Sequence, residues 1–425
     1  MRRRIQRLAC VALSFSMLTV TLSGCRAQEA PAEKVTTEIQ IPISLSVDPT
    51  TGKKGDEDLV TAFNEEYSGK YHLDVTWVLE TEDERRRSLK VKNATDQLPA
   101  VLTDVRTVPS FYRLLIDDHR IEDLSEEIAN DPEWQQIIEP VVMDNTKDSD
   151  GNLYLAPISS GAFTCSGMFY NTELFAKAGI ESFPATWDEF FKDCDLLKAS
   201  GITPLALHTE GTGWAPMLIA TAKMGETEEG RALMNQIFPS TYESESFEDL
   251  AQTLKKLFSY ASDDCFNTDF DSAYEKFFSG QAAMIPNGYW MIESIPSDFK
   301  NKTRFSAFPG NVLIASPETF GWAITACYSD EIKKGALEFL KFRAKRSQDD
   351  KRKFLTLGGS TLAEQDYIKA YLNSPYIMKN YQTLWNSNLQ EKIIPADLPD
   401  LARGKISTHD FVLDCNKSIA EFKEK

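Results

Sequence analysis

Histidine is scarce and dispersed: the chain has four in 425 residues, at His72, His119, His208 and His409. None falls in an HExxH or comparable metal pattern. The seven cysteines contain no CxxC spacing. With Cys10 and Cys25 assigned to the leader, Cys165, Cys194, Cys265, Cys327 and Cys415 remain, an odd and widely spread set that builds no disulfide framework. They read as small buried apolar residues. No metal and no cofactor is therefore expected. Basic residues are also short, 46 against 64 acidic ones, and phosphate recognition needs a basic surface, so nucleic acid is excluded as a partner. The apolar run from Leu8 to Leu22 is shorter than the ~20 residues of a spanning helix. Repeats, heptad runs and low-complexity blocks are missing from the folded part.

What is present begins with "MRRRIQRLACVALSFSMLTVTLSGC". Four arginines, an uncharged stretch from Leu8 to Leu22 and then small residues make a secretory leader. Leu22-Ser23-Gly24-Cys25 resembles the lipobox of bacterial lipoproteins, which implies a diacylglyceryl group on Cys25 and a mature chain starting there. One acyl chain holds a protein only marginally and two or three hold it stably, so the mature chain is expected to be lipid-anchored on the extracytoplasmic face of the cell membrane. Loss of Arg2, Arg3, Arg4 and Arg7 leaves 42 basic against 64 acidic residues, a net charge of −22. Residues 26–37 are polar and aperiodic, as in a flexible tether.

The mature chain exceeds what one core usually serves, so two lobes are expected. "EIQIPISLSV" alternates strictly and reads as a strand. A helix with Leu59, Val60, Phe63 and Tyr67 on one face follows, then the strand "YHLDVTWVL", a charged helix and the short run "LPAVLTDV". This order predicts a parallel sheet covered by helices. After "DSDGN" the pattern restarts. Asn171 caps one helix, and Thr186 with Glu189 forms a capping box on the next. Both helices stop at glycine, Gly179 and Gly201. "ITPLAL" and "QAAMIP" are further strands, the second preceded by a helix bearing Phe270, Ala273, Phe277 and Phe278. "NVLIASPETFGWAITACYS" gives two strand-like pieces around a loop, followed by the helix "DEIKKGALEFLKFRAK". The fold class is α/β.

Four stretches carry a family resemblance: "LPAVLTDVRTVPSFYRLL", "LYLAPISSGAFTCSGMFYNTELFAKAGI", "FPATWDEFFKDCDLLKASGITPLAL" and "YEKFFSGQAAMIPNGYWMIESI". In this order they resemble the extracellular solute-binding proteins of ABC importers, in the carbohydrate-binding, maltodextrin-binding-protein-like group. Ala100 stands where that family usually has aspartate. The resemblance implies a two-lobed periplasmic-binding-protein-like fold of type II, each lobe a mainly parallel sheet flanked by helices, with a ligand cleft between. It assigns residues 38–147 with 306–346 to lobe 1, and 148–305 with 347–425 to lobe 2. It further implies a monomer that is not an enzyme, captures a sugar or oligosaccharide by hinge closure and delivers it to the permease subunits. A peptide or polyamine ligand, a sensor role and a lipid-anchored glycoside hydrolase stand as alternatives.

Sugar recognition combines flat aromatic rings with hydrogen-bonding groups, because a pyranose has apolar C–H faces and a rim of hydroxyls. Trp290, after the strand "AAMIP", is placed at the cleft by the resemblance. Trp214 follows "ITPLAL" at the strand-end edge where open α/β sheets bind ligands. Trp322 shares a strand face with Ile324, and core packing and ligand contact both remain open for it. Asp104 and Glu80 end strands at the same edge, with helix capping as their other possible use. Arg106, Phe163, Tyr154 and Asn287 lie in loops that the resemblance directs toward the cleft. Trp187, Trp77 and Trp134 are expected to be structural.

Overall fold

The computed structural model describes residues 38–423 apart from positions 48–51, 81, 108, 140–141, 144–145, 149–150, 159–163, 210–212, 235, 237–238, 316–320, 375 and 387. The leader with Cys25, the tether and Phe163 lie outside the described residues. No described helix is long and apolar enough to cross a membrane.

The chain is a two-lobed α/β protein with one sheet per lobe. In lobe 1, β1 (Ile39–Val47) runs parallel to β2 (Tyr71–Leu79) and β3 (Val101–Leu102), in the order β2-β1-β3 with β9 (Ala323–Ile324) antiparallel at the edge. The alternation read from the sequence holds: Ile41, Ile43 and Leu45 are buried. Between these strands lie α1 (Glu57–Glu66) and α2 (Glu82–Ala94). Phe63 of α1 stacks on Tyr67, with ring centroids 4.5 Å apart, and meets Phe339 edge-on at 5.1 Å. This aromatic contact joins the first helix of the lobe to a helix near the end of the chain.

Lobe 2 departs from the mainly parallel pattern. Its sheet has the order β10-β8-β4-β6-β5, with β7 also paired to β4. The central β4 (Cys165–Asn171) runs antiparallel to β6 (Ala282–Gly288), β7 (Thr303–Ser306) and β8 (Val312–Ala315). β5 (Thr203–Leu205) is parallel to β6, and β10 (Tyr376–Lys379) is parallel to β8. A βαβ crossover forces parallel neighbours, but β4 enters from lobe 1 without one, so its direction is free. Every residue of β6 is buried, which accounts for the unbroken apolar run "AAMIP".

Helix ends follow the expected chemistry. The Asn171 side chain accepts from the N–H groups of Glu173 and Leu174, and Thr186 and Glu189 form the reciprocal box. Gly179 and Gly201 take positive φ, 76° and 73°, where a side chain would be strained. Cys165, Cys194, Cys265 and Cys415 are buried, and Cys327 is exposed.

Two segments sit differently from the expected lobe boundaries. β8 pairs through Cys165↔Ala315 and Ser166↔Ile314, so residues 306–315 belong to the second sheet. Leu153 and Ala156 instead pack in the first core. The strand pieces around "SPETFG" thus enter different sheets, β8 in lobe 2 and β9 in lobe 1.

The helix read from "DEIKKGALEFLKFRAK" runs further, over Asp330–Leu357, and ends at the left-handed Gly358 with φ 76°. Its 28 residues span about 42 Å at 1.5 Å each. Phe339, Leu340 and Phe342 sit in the lobe 1 core, whereas Phe354 and Leu355 pack against Phe277, Met291 and Tyr367 of lobe 2. Near its end, Lys351 pairs with Glu139 and its ammonium lies 5.4 Å from the Tyr371 ring. The helix approaches β1 closely because position 335 is glycine: a Cβ there would lie 2.7 Å from Tyr71 and 2.8 Å from Ile41.

Gly335→Ala is therefore expected to destabilise the fold by about 1 to 3 kcal/mol through overpacking, measured by chemical denaturation. A second expectation concerns Asp397 in the helix Ile394–Ala402. Burial, then Asp414 and Asp400, push its carboxyl up to about 6 against the pull of Lys417, and Oδ2 has no hydrogen-bond partner among the described residues. A raised carboxyl pKa means the folded state binds the extra proton, so stability falls as pH rises from about 4 to about 6 and stays lowered above that. Asp397→Asn should stabilise the fold at pH 7.5 by roughly 1 kcal/mol after discounting for solvent screening, read as a higher melting temperature, and leave it unchanged at pH 4.

Candidate functional site

Candidate residues stand near strand ends in each sheet. In lobe 2, β6 leads directly into a single 3-10 turn, Tyr289–Met291, that carries Trp290. The indole folds back over the strand end: a Cβ on Gly288 would stand 2.1 Å from the Trp290 ring. Glycine at 288 is thus a condition for the ring's position, and its backbone angle is ordinary. From the neighbouring strand the chain reaches the helix Trp214–Met224, whose first residue is Trp214. The two partly exposed indoles meet at 5.9 Å between centroids with a 42° tilt.

Two more rings join them. His208, buried just after β5, lies 5.8 Å from Trp214, and Phe270 lies 5.7 Å from His208 and 6.4 Å from Trp214. Burial pushes the His208 pKa down to about 4 against the opposing pull of Asp269, so its imidazole is neutral at pH 7. Asp269 caps the helix Phe270–Phe278 by accepting from the Ser272 N–H at 2.8 Å. Sequence reading took His208 as one of four dispersed histidines. The available signal was its place immediately after the apolar strand "ITPLAL", on the same edge as Trp214.

Lobe 1 contributes charge instead. Asp104 follows β3 in a left-handed conformation, φ 52°. Its carboxylate accepts from Arg85 Nη1 at 2.7 Å and from Trp322 Nε1 at 3.4 Å. Arg343 of the long helix places its guanidinium carbon 3.6 Å from the centre of the Trp322 ring. Desolvation lowers the Arg343 pKa while Asp56 and Asp104 raise it. Burial raises the Asp56 carboxyl, Arg343 lowers it and Asp104 raises it. Two carboxylates and two guanidiniums thus form a mutually compensating group beside one indole. Across the lobes, Lys53 Nζ lies 3.9 Å from Glu293 Oε2, which brings the turn before α1 next to the Trp290 turn.

The other predicted residues are placed as follows. Trp322 is 3 % exposed; with its N–H engaged and a face under Arg343, it packs as core. Glu80, half-buried, lines a small cavity with Ser44, Ser46, Arg85 and Thr103. Arg106 is turned inward, with Nη1 donating to the Thr146 carbonyl at 3.3 Å and the guanidinium over Tyr112. Tyr154 packs against the cluster of Leu102, Phe111 and Leu155. Asn287 is buried within β6, and its Oδ1 accepts from the Gly288 N–H at 2.8 Å. Trp187 and Trp134 are buried structural residues. Among the described residues, no group of three or more His, Cys, Asp or Glu is arranged to hold a metal ion.

Comparison with known proteins gives consistent results. Residues 48–347 match the family described as bacterial extracellular solute-binding protein. The "Multiple sugar-binding protein" of Streptococcus mutans serotype c is 28% identical over 168 residues, which is 37% of this chain and 39% of the relative. The chain thus spans about two-fifths of the length of the curated relatives it matches. Among solved structures, a "Chitin oligosaccharide binding protein" superposes with a TM-score of 0.70 at 20% identity, covering 90% of this chain and 98% of that one. A Streptococcus pneumoniae solute-binding protein in complex with the blood group A-trisaccharide gives 0.70 at 19% identity, covering 90% and 100%.

Proposed function

The chain belongs to the bacterial extracellular solute-binding protein family, and on that premise we propose that it captures a sugar or oligosaccharide between its two lobes and hands it to the permease of an ABC importer. The observation that carries the proposal is the Trp214–Trp290 pair, two partly exposed indoles in contact at the strand-end edge of lobe 2. Solute-binding relatives named for sugars support it. An indole that covers about 100 Å² of a pyranose face contributes roughly 2 to 3 kcal/mol at about 25 cal/mol/Å². Charge-assisted hydrogen bonds from a sugar hydroxyl to the Asp104 and Arg85 group add roughly 1.5 to 3 kcal/mol each. Such terms suffice for micromolar binding after association costs, with no bond made or broken.

Closure follows from the division of labour between the lobes. Lobe 2 supplies apolar plates and lobe 1 supplies charge, so only a closed form touches both aspects of a sugar, and ligand shifts the population toward it. We assign lobe 1 to the first sheet with its helices and lobe 2 to the second, the chain passing to lobe 2 between Ala156 and Cys165, back between Ala315 and Ala323, and to lobe 2 again within the long helix. Glu80, Arg106, Tyr154, Phe163 and Asn287 are proposed as secondary contacts or supports of the cleft rather than its main ligands. The mature monomer acts without enzymatic turnover, anchored through lipid on Cys25 beside its permease.

In a tryptophan-fluorescence and thermal-shift screen of mono- and oligosaccharides, at least one sugar is expected to bind. Trp290→Ala and Trp214→Ala should each weaken that sugar by about tenfold or more; unchanged affinity in both variants sinks the site assignment, and new reducing ends on incubation with oligosaccharide sink the non-enzymatic role. Cys25→Ser should move the protein from the membrane pellet to the soluble extracellular fraction, read by fractionation and immunoblot; retention in the pellet refutes lipid anchoring.

A further inference from the structure

The indole pair is not the whole aromatic surface of lobe 2. Phe270 is 37 % exposed, whereas Phe277 and Phe278 of the same helix are buried. Solvent exposure of a large ring is the informative case, since buried ones are explained by the core. Trp214 is in ring contact with both of its neighbours, Trp290 at 5.9 Å and Phe270 at 6.4 Å, with tilts of 42° and 52°. Three rings set at such angles do not share a plane. One flat pyranose cannot lie against all of them, whereas successive units of a twisted glycan chain can each take one.

Beneath Phe270 and Trp214 lies His208, 6 % exposed, with Nε2 lacking any hydrogen-bond partner among the described residues. Buried polar atoms are almost always satisfied, and an orphan calls for an explanation. The neighbouring carboxylate does not supply one: Asp269 is held by the Ser272 N–H. A neutral imidazole nitrogen pairs well with a hydroxyl, which both donates and accepts. Phe270 meets the imidazole edge-on at 79° and is the first residue of its helix, so the exposed ring and the buried imidazole lie side by side.

We infer that Phe270 is a third sugar platform beside Trp214 and Trp290, with His208 as the hydrogen-bonding group of that subsite, and that the ligand is therefore a glycan of two or more rings and not a monosaccharide. The inference rests on the sugar-binding reading above. It differs from a purely structural role, in which Phe270 would only roof a core histidine.

Calorimetric titration of the full chain with matched series tests it: glucose with maltose and maltotriose, glucose with cellobiose and cellotriose, xylose with xylobiose and xylotriose, and N-acetylglucosamine with its β1,4-linked dimer and trimer. In the best series the trisaccharide should bind about tenfold or more tighter than the monosaccharide. Phe270→Ala should cut that ratio by about fivefold while Phe270→Trp preserves it. His208→Ala should cut it and His208→Gln restore most of it, with melting curves confirming that each variant folds. A monosaccharide that binds as tightly as its trimer, or a ratio unchanged in Phe270→Ala, overturns the inference and leaves sugar capture standing. Silence across every series, with Trp290→Ala and Trp214→Ala also silent, overturns the sugar reading itself.

Discussion

The contact between the Trp290 indole and the backbone of Gly288 governs the lobe 2 surface. The strand end has no side chain where the ring lies, and the adjoining turn is only three residues long, so the ring has little freedom to leave. Once Trp290 is seated there, Trp214 meets it from the adjacent helix, and Phe270 and His208 gather around Trp214. The underlying strand is buried along its whole length, which makes the platform as rigid as the core beneath it. Rigidity at a binding plate reduces the ordering cost on association.

The opposite lobe follows another logic. Asp104 pairs with Arg85, and Asp104 and Asp56 both act on the buried Arg343, so these carboxylates and guanidiniums compensate one another. Holding Asp104 between Arg85 and Trp322 fixes where its lone pairs point. A neutral group of strong donors and acceptors suits a neutral, hydroxyl-rich solute better than an anion or a polycation, because neither of those would find an excess of opposite charge.

Much of this was legible in the residues. The period-two runs placed β1 and β2, Asn171 and Thr186 with Glu189 marked the helix starts, and the glycine before "YW" located the turn that carries Trp290. Trp214 was found from its position after a strand. Other features were hidden because they depend on contacts far apart in the sequence. Trp322 reads equally well as core or platform until Arg343, on another element, is seen to cover it. Arg106 and Asn287 look available in a loop motif, but Arg106 donates to the Thr146 carbonyl 40 residues away, and Asn287 lies buried in β6 with its Oδ1 accepting from the Gly288 N–H. The membership of β8 in the second sheet rests on pairing with β4, some 150 residues away along the chain, and no local pattern encodes that. Phe270 lacks any such signature beyond its neighbours in space, and the one local signal for His208 is its place after "ITPLAL".

The helix Asp330–Leu357 has its early turns in one core and its last turns against the other. An α-helix bends sharply only by giving up backbone hydrogen bonds, and this one carries no proline. It therefore behaves as an axle common to both bodies. Rotation of one body about that axle repacks side chains and leaves the backbone ladder intact, while tilting across it would tear the ladder. The Lys351–Glu139 pair, with the lysine side chain 10 % exposed and the carboxylate side chain 37 % exposed, ties the last turns of this helix to the segment that follows the helix Pro132–Ile137.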